Sequence, residues 1–138
     1  MKDTPLRCAL YPRVSTEEQH INGLSLPAQK QALQEYAERM GYQIVGVYAD
    51  EGISARKPVS RRPALLRLLK DVRQDRIDII LVTKLDRWFR NIKEYQLTQE
   101  ILDAHGCYWK TIFEDYDTST ANGQMVVNIM LAVAQNEA

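Results

Sequence analysis

Little in this sequence could hold a metal ion or cradle a nucleotide. Its 2 cysteines and 2 histidines are scattered, without the spacing of a zinc or iron site. No glycine-rich P-loop and no GxGxxG follow a strand, and no carboxylates cluster as magnesium ligands. No metal and no cofactor are therefore expected. Charge of one sign is missing too: Lys+Arg and Asp+Glu balance at 18 each. No global field draws the chain to a polyanion, and any phosphate affinity must come from local clustering. There is no signal peptide and no apolar run of membrane-spanning length, so a soluble, cytoplasmic protein without a membrane partner is expected. Cys8 and Cys107 fall in predicted strands, where buried thiols are expected rather than a disulfide. The 138 residues suffice for one domain with a real core and are too few for two.

What is present alternates strand and helix. Cys8-Ala9-Leu10-Tyr11 reads as an opening strand. Glu17 to Gly23 is polar, a short helical turn or a loop. Ser25 caps a helix with Pro27 in its first turn, Gly41 as its stop and Leu33, Tyr36, Ala37 and Met40 on its inner face. Ile44 to Tyr48 is a second strand, apolar enough to be covered on both sides. Asp50 to Arg62 lacks periodicity and gathers Arg56, Lys57, Arg61 and Arg62, which predicts a mobile surface loop. A helix opening near Ser60 to Pro63 presents Leu65, Leu66, Leu69 and Val72, and Ile77 to Val82 is the third strand. Asn91 caps a helix that ends at Gly106, and Cys107 to Phe113 is a fourth strand. After the polar loop Glu114 to Gly123, a helix from Gln124 is apolar on nearly every side. This order predicts an α/β domain with a mainly parallel central sheet flanked by helices.

In a parallel sheet, ligands bind beyond the carboxyl ends of the strands. Two segments far apart in sequence meet that edge: Tyr11-Pro12-Arg13-Val14-Ser15-Thr16 after the first strand and Lys84-Leu85-Asp86-Arg87-Trp88-Phe89-Arg90 after the third. Arg13 and Ser15 point the same way if the strand continues. Ser15 or Thr16 can also serve simply as a helix cap, since Ser15 and Glu18, or Thr16 and Gln19, fit a capping box. If Arg87 to Arg90 is a helical turn, its two guanidinia share a face; the bland alternative is a solvated turn with an Asp86–Arg90 ion pair. Adding Arg13 and Arg62 gives one hydroxyl ringed by cations. That combination suits attack on a phosphodiester, with guanidinia neutralising the non-bridging oxygens. A serine phosphate ester would retain the bond energy for rejoining.

Tyr11-Pro12-Arg13-Val14-Ser15-Thr16-Glu17-Glu18-Gln19 resembles the opening motif of the serine recombinases, the resolvase/invertase family. Asp50-Glu51-Gly52-Ile53-Ser54, Arg62-Pro63, Lys84-Leu85-Asp86-Arg87 and Gly123-Gln124-Met125 recur in that family's order. Gly23-Leu24-Ser25-Leu26-Pro27-Ala28-Gln29 and the longer loop before Arg62 resemble the large subgroup, phage integrases and transposon recombinases. The resemblance implies a catalytic domain for DNA recombination and integration. Such a domain cuts both strands of two double-stranded sites with a two-base stagger, leaves each 5′ phosphate on a serine, exchanges half-sites by rotation and rejoins them without metal or ATP. It implies that Ser15 is the nucleophile and that Arg13, Arg87 and Arg90 hold the scissile phosphate. Arg62 is then the loop arginine that joins on activation, Asp86 and Gln19 orient the nucleophile and its arginines, and Lys84 supports the phosphate-binding group. Pro12, and the bulk of Trp88-Phe89, depart from the family's usual residues.

The same resemblance divides the chain into a core over 1–122 and, over 123–138, the start of a truncated helix. That helix would build a homodimer and rearrange in the active tetramer. No DNA-binding domain is recognised, so an excised fragment or a truncated gene is expected. Two competing readings remain: a catalytically inert DNA-bridging relative, and a flavodoxin-like nucleotide-binding or phosphatase module. A phosphatase would want a Cys or Asp nucleophile in a loop of backbone amides, and none is found.

Overall fold

The computed structural model describes residues 4–15, 24–114, 116 and 120–136. Thr16, Gln19 and the polar stretch Glu17 to Gly23 lie outside the described residues. Strands β1 (Arg7–Leu10), β3 (Gln43–Val47), β5 (Ile79–Val82) and β6 (Tyr108–Thr111) form one sheet in the order β3-β1-β5-β6. Every pairing in it is parallel. Two short strands, β2 (Arg13–Val14) and β4 (Asp50–Glu51), pair in parallel beyond the carboxyl ends of β1 and β3.

Alternation along the central strands decides the two layers. Cys8, Leu10, Ile79 and Leu81 face helix α1 (Leu26–Met40), packing on its Leu33 and Ala37. Ala9, Ile80 and Val82 face the other way, towards α2 (Pro63–Arg73), α4 (Ile92–Ala104) and α5 (Ala121–Asn136). Between β5 and α4 lies α3, the single turn Leu85–Trp88. Because β1 and β5 are covered on both sides, they read as unbroken apolar runs. Both cysteines are free buried thiols, and burial pushes each up to about 12.

Helix ends follow local chemistry. The Ser25 hydroxyl accepts from the Ala28 amide, Pro27 occupies the first turn, and Gly41 takes φ 75° to bond back to Ala37 and Glu38. The Asn91 side chain caps α4 through the Glu94 amide. Helix α5 opens at Ala121 rather than Gln124, because the Thr120 hydroxyl accepts from the Gly123 amide and begins the turn earlier.

Four further expectations are corrected. Strand β3 is an edge strand, not a covered one: Val45 and Val47 are each 40% exposed. Met40 is exposed at the end of α1, where the sheet no longer lies beneath it. In α2 the buried stripe is Leu65, Leu68, Leu69 and Val72, and Leu66 faces out. The stretch from Asp50 to Arg62 is anchored at both ends rather than being a mobile surface loop. Asp50 belongs to β4, a 3-10 turn spans Val59–Arg61, and both Asp50 and Arg62 are buried.

Helix α5 behaves as its all-round apolar sequence foretold. Val127 and Leu131 pack into the core, while Met125, Val126, Ile129, Met130 and Val133 stay exposed. Val127→Lys should therefore cost about 3 kcal/mol or more, by burying an unpaired charge. Met130→Lys should stay within about 0.5 kcal/mol of the parent. Urea unfolding of the two variants measures the difference.

Candidate active site

The carboxyl edge of the sheet is assembled by two buried arginines that grip main-chain oxygens. Arg13, on β2, is 1% exposed. Its Nε donates to the Arg87 carbonyl at 3.1 Å and its Nη2 to the Asp86 carbonyl at 2.7 Å. Its Nη1 donates to the Ile53 carbonyl. Arg62, wholly buried, donates from Nη2 to the Trp88 carbonyl at 2.7 Å. Between them the two guanidinia hold the carbonyls of Asp86, Arg87 and Trp88, the oxygens that a one-turn helix cannot satisfy internally. Positive charge there also suits the negative end of the turn.

Arg62 is balanced from its other side. Its Nε and Nη2 donate to the Tyr11 hydroxyl at 3.2 and 2.9 Å, and that hydroxyl donates to Asp50 Oδ2 at 2.7 Å. The guanidinium carbon lies 4.7 Å from the centre of the Phe89 ring and 5.4 Å from that of Tyr11, a favourable placement for a desolvated cation. Burial pushes the Tyr11 phenol well above its ordinary value, with Arg62 opposing and Asp50 adding to the shift. The phenol thus stays neutral and keeps the one proton it donates. Asp50 also accepts from the Ala64 and Leu65 amides at 2.9 and 3.2 Å. Helix α2 has no side-chain cap from its own flanking residue, and this distant carboxylate fills the place.

The site residues expected from sequence fall into three groups. Ser15 is half-buried just past β2, and Arg13 is brought directly against the turn that carries Asp86 and Arg87. Arg87 is nearly buried and pairs with Asp86 at 3.2 Å, so the anticipated ion pair uses Arg87 rather than Arg90. The helical turn stops at Trp88, and Phe89 is extended with ψ 150°. Arg87 and Arg90 therefore do not share a helical face. Arg90 is instead tied by its amide to the Ala55 carbonyl at 3.3 Å, and its buried Nε finds no partner among the described residues. Lys84 is exposed at the start of the turn, and Gln19 lies outside the described residues. Trp88 and Phe89 are core side chains with no exposure, stacked on Tyr11, Tyr95 and Trp109. Among the described residues no three His, Cys, Asp or Glu side chains gather as a metal site.

Tyr11 and Asp50 had no role assigned from sequence, although both stand in the motifs quoted above. One signal for Asp50 was available: a helix beginning Arg62-Pro63 has no capping side chain of its own, so a carboxylate must come from elsewhere. Deleting the hydroxyl with Tyr11→Phe should cost about 2 kcal/mol, because it leaves buried charges short of a partner. Breaking the Arg7–Asp78 pair, joined at 3.0 Å, with Arg7→Ala should cost clearly less than Tyr11→Phe, because solvent screens it. Chemical denaturation of both variants tests that order.

Comparison with known proteins agrees with this fold. The N-terminal catalytic domain of TP901-1 integrase superposes with a TM-score of 0.75 at 33% identity, over 95% of each chain. A resolvase family site-specific recombinase from Streptococcus pneumoniae gives 0.74 at 31% identity, over 96% of this chain and 89% of that one. A DNA-invertase of Escherichia phage P1 is 30% identical over 127 residues, 92% of this chain and 60% of the invertase. The chain spans less than two thirds of the length of several curated relatives that it matches. Residues 8–138 match the family described as Resolvase, N terminal domain, and with the buried arginines behind the Ser15 segment this places the chain in the resolvase/invertase family of serine recombinases.

Proposed function

We propose that the chain is the catalytic domain of a site-specific DNA recombinase that uses Ser15 as its nucleophile. The observation that carries this reading is the join between the two active-edge segments. Arg13, two residues before Ser15, is hydrogen-bonded to the carbonyls of Asp86 and Arg87. That join supports one site shared by the hydroxyl and the arginine turn.

In the proposed reaction Ser15 Oγ attacks the phosphorus of a DNA phosphodiester. The bond to the 3′ oxygen breaks, that oxygen takes up a proton, and the 5′ phosphate remains esterified to serine. Rejoining reverses the step with a 3′ hydroxyl from the exchanged strand. The ester conserves the bond energy, so no ATP is required, and the guanidinia would supply the charge stabilisation that a metal could otherwise give. Arg87 and Arg90 supply charge to the phosphate. Arg13 is committed to main-chain oxygens and Arg62 to the Tyr11 hydroxyl and the Trp88 carbonyl, which supports a positioning share in their roles. Asp86 holds Arg87, and Lys84 and Gln19 complete the proposed site. The exposed row Met125, Val126, Ile129, Met130 and Val133 supports a second copy docking on α5, giving dimers and, at paired DNA sites, tetramers. The likeness to TP901-1 integrase favours the large subgroup. The enzyme would act on DNA in the cytoplasm.

Incubating the recombinase that carries this domain with a plasmid bearing its site, then denaturing it, tests the reading. A protein–DNA adduct at the 5′ end should form with or without EDTA and should vanish in Ser15→Ala. Arg87→Lys should cleave about 10²-fold slower, since a point charge cannot fork onto two phosphate oxygens. An adduct from Ser15→Ala, or cleavage that needs a divalent cation, would sink the assignment.

A further inference from the structure

Gln29 is the one polar side chain of α1 with no exposure at all. A carboxamide so placed is costly unless every hydrogen-bonding position is met. Here all are met, and by a specific set of groups. Nε2 donates to the Arg13 carbonyl at 2.9 Å and to the Leu24 carbonyl at 3.0 Å. Oε1 accepts from the Arg13 amide at 3.3 Å and lies 3.5 Å from the Thr83 hydroxyl.

The pattern at Arg13 is that of a strand neighbour. One side-chain amide takes both the N–H and the C=O of a single residue, as an adjacent strand would. On the opposite edge β2 is paired with β4, where the Asp50 amide donates to Pro12 and the Gly52 amide to Val14. A two-residue strand is thus held from both sides, and on one side a glutamine side chain does it. The same carboxamide touches Leu24, so its two donated bonds bracket Ser15 in the sequence. Through Thr83 it also touches the end of β5, from which the arginine turn departs.

We infer that Gln29 is a positioning residue for the nucleophile: its carboxamide fixes the peptide of Arg13, and through it the aim of Ser15 at the arginine turn. This rests on the reading of Ser15 given above. Its packing can be kept by a side chain of similar volume, which separates that contribution from its hydrogen bonds. Its contribution to orientation is specific, because a carboxamide of this length can donate to the C=O and accept from the N–H of one residue, and so tie the two peptide groups that flank it. A displacement of the reacting oxygen by ~1 Å is enough to cost ~10²-fold in rate.

The test uses the complete recombinase on a plasmid carrying two copies of its site. It compares wild type, Gln29→Met, Gln29→Glu and Ser15→Ala, each well below its own Tm. Gln29→Met keeps the volume and removes every hydrogen bond. Gln29→Glu keeps the acceptor for the Arg13 amide and removes the donors. Both should bind the site with wild-type affinity while single-turnover cleavage and rejoining fall about 10- to 100-fold. Gln29→Met should in addition lose hydrogen-exchange protection at the Arg13 amide. Wild-type rates in both variants would overturn the inference. So would a loss of site affinity and cleavage by a common factor that tracks a falling Tm, or failure of both variants to fold, since each describes a folding residue. Cleavage by Ser15→Ala would remove the reading of the nucleophile itself, and the role of Gln29 with it.

Discussion

Three consecutive carbonyl oxygens, those of Asp86, Arg87 and Trp88, set the terms for the rest of the site. They end a helix too short to use them, at a buried edge where water cannot compensate. Arg13 and Arg62 answer that demand from opposite sides. Each brings a second segment with it: β2 and the residues before Ser15 in one case, the start of α2 in the other. The need to satisfy a few main-chain oxygens is thereby what joins the segments that carry the motif residues.

A buried guanidinium needs an answering charge, and in Arg62 the answer is indirect. The Tyr11 hydroxyl stands between Arg62 and Asp50, accepting from the cation and donating to the carboxylate. Asp50 meanwhile ends the deficit at the amino terminus of α2. One phenol thus couples β1, the small sheet and α2. Moving Arg62 to a substrate phosphate would forfeit its bonds to Tyr11 and Trp88 and its two ring contacts. Such a move must be driven by something of comparable strength, and a bound phosphate or an assembled oligomer has that capacity.

Away from this edge the fold is simpler. The two-faced alternation of β1 and β5 separates α1 from α2, α4 and α5, and among the described residues of the last helix Val127 and Leu131 enter the core. The five exposed apolar residues of α5 contribute nothing to that core. An exposed apolar row of this kind is what commonly marks a contact surface.

The order of strands and helices was legible because each signal is local. Gly41 takes a left-handed turn where few other residues would, Ser25 and Asn91 cap the helices that follow them, and β1 and β5 carry continuous apolar runs. The motif residues Arg13, Ser15, Asp86, Arg87 and Arg90 could be named, and their meeting at one edge follows from the parallel topology alone. What each does with its hydrogen bonds could not be read, because a guanidinium looks the same in sequence whether it faces solvent or a carbonyl. Arg62 was expected on a mobile loop and lies in the core, since the partners that bury it, Tyr11, Phe89 and Trp88, come from segments distant in the chain. Arg90 leaves the face of Arg87 because the turn ends at Trp88, where Phe89 adopts extended backbone. The sequence by itself determined the family, the layers and which motif residues reach the carboxyl edge of the sheet, all properties of neighbouring residues and their periods. Only the tertiary structure decided which charges are buried, which side chains hold them and which face of each helix is spent, because those depend on groups that meet across the fold.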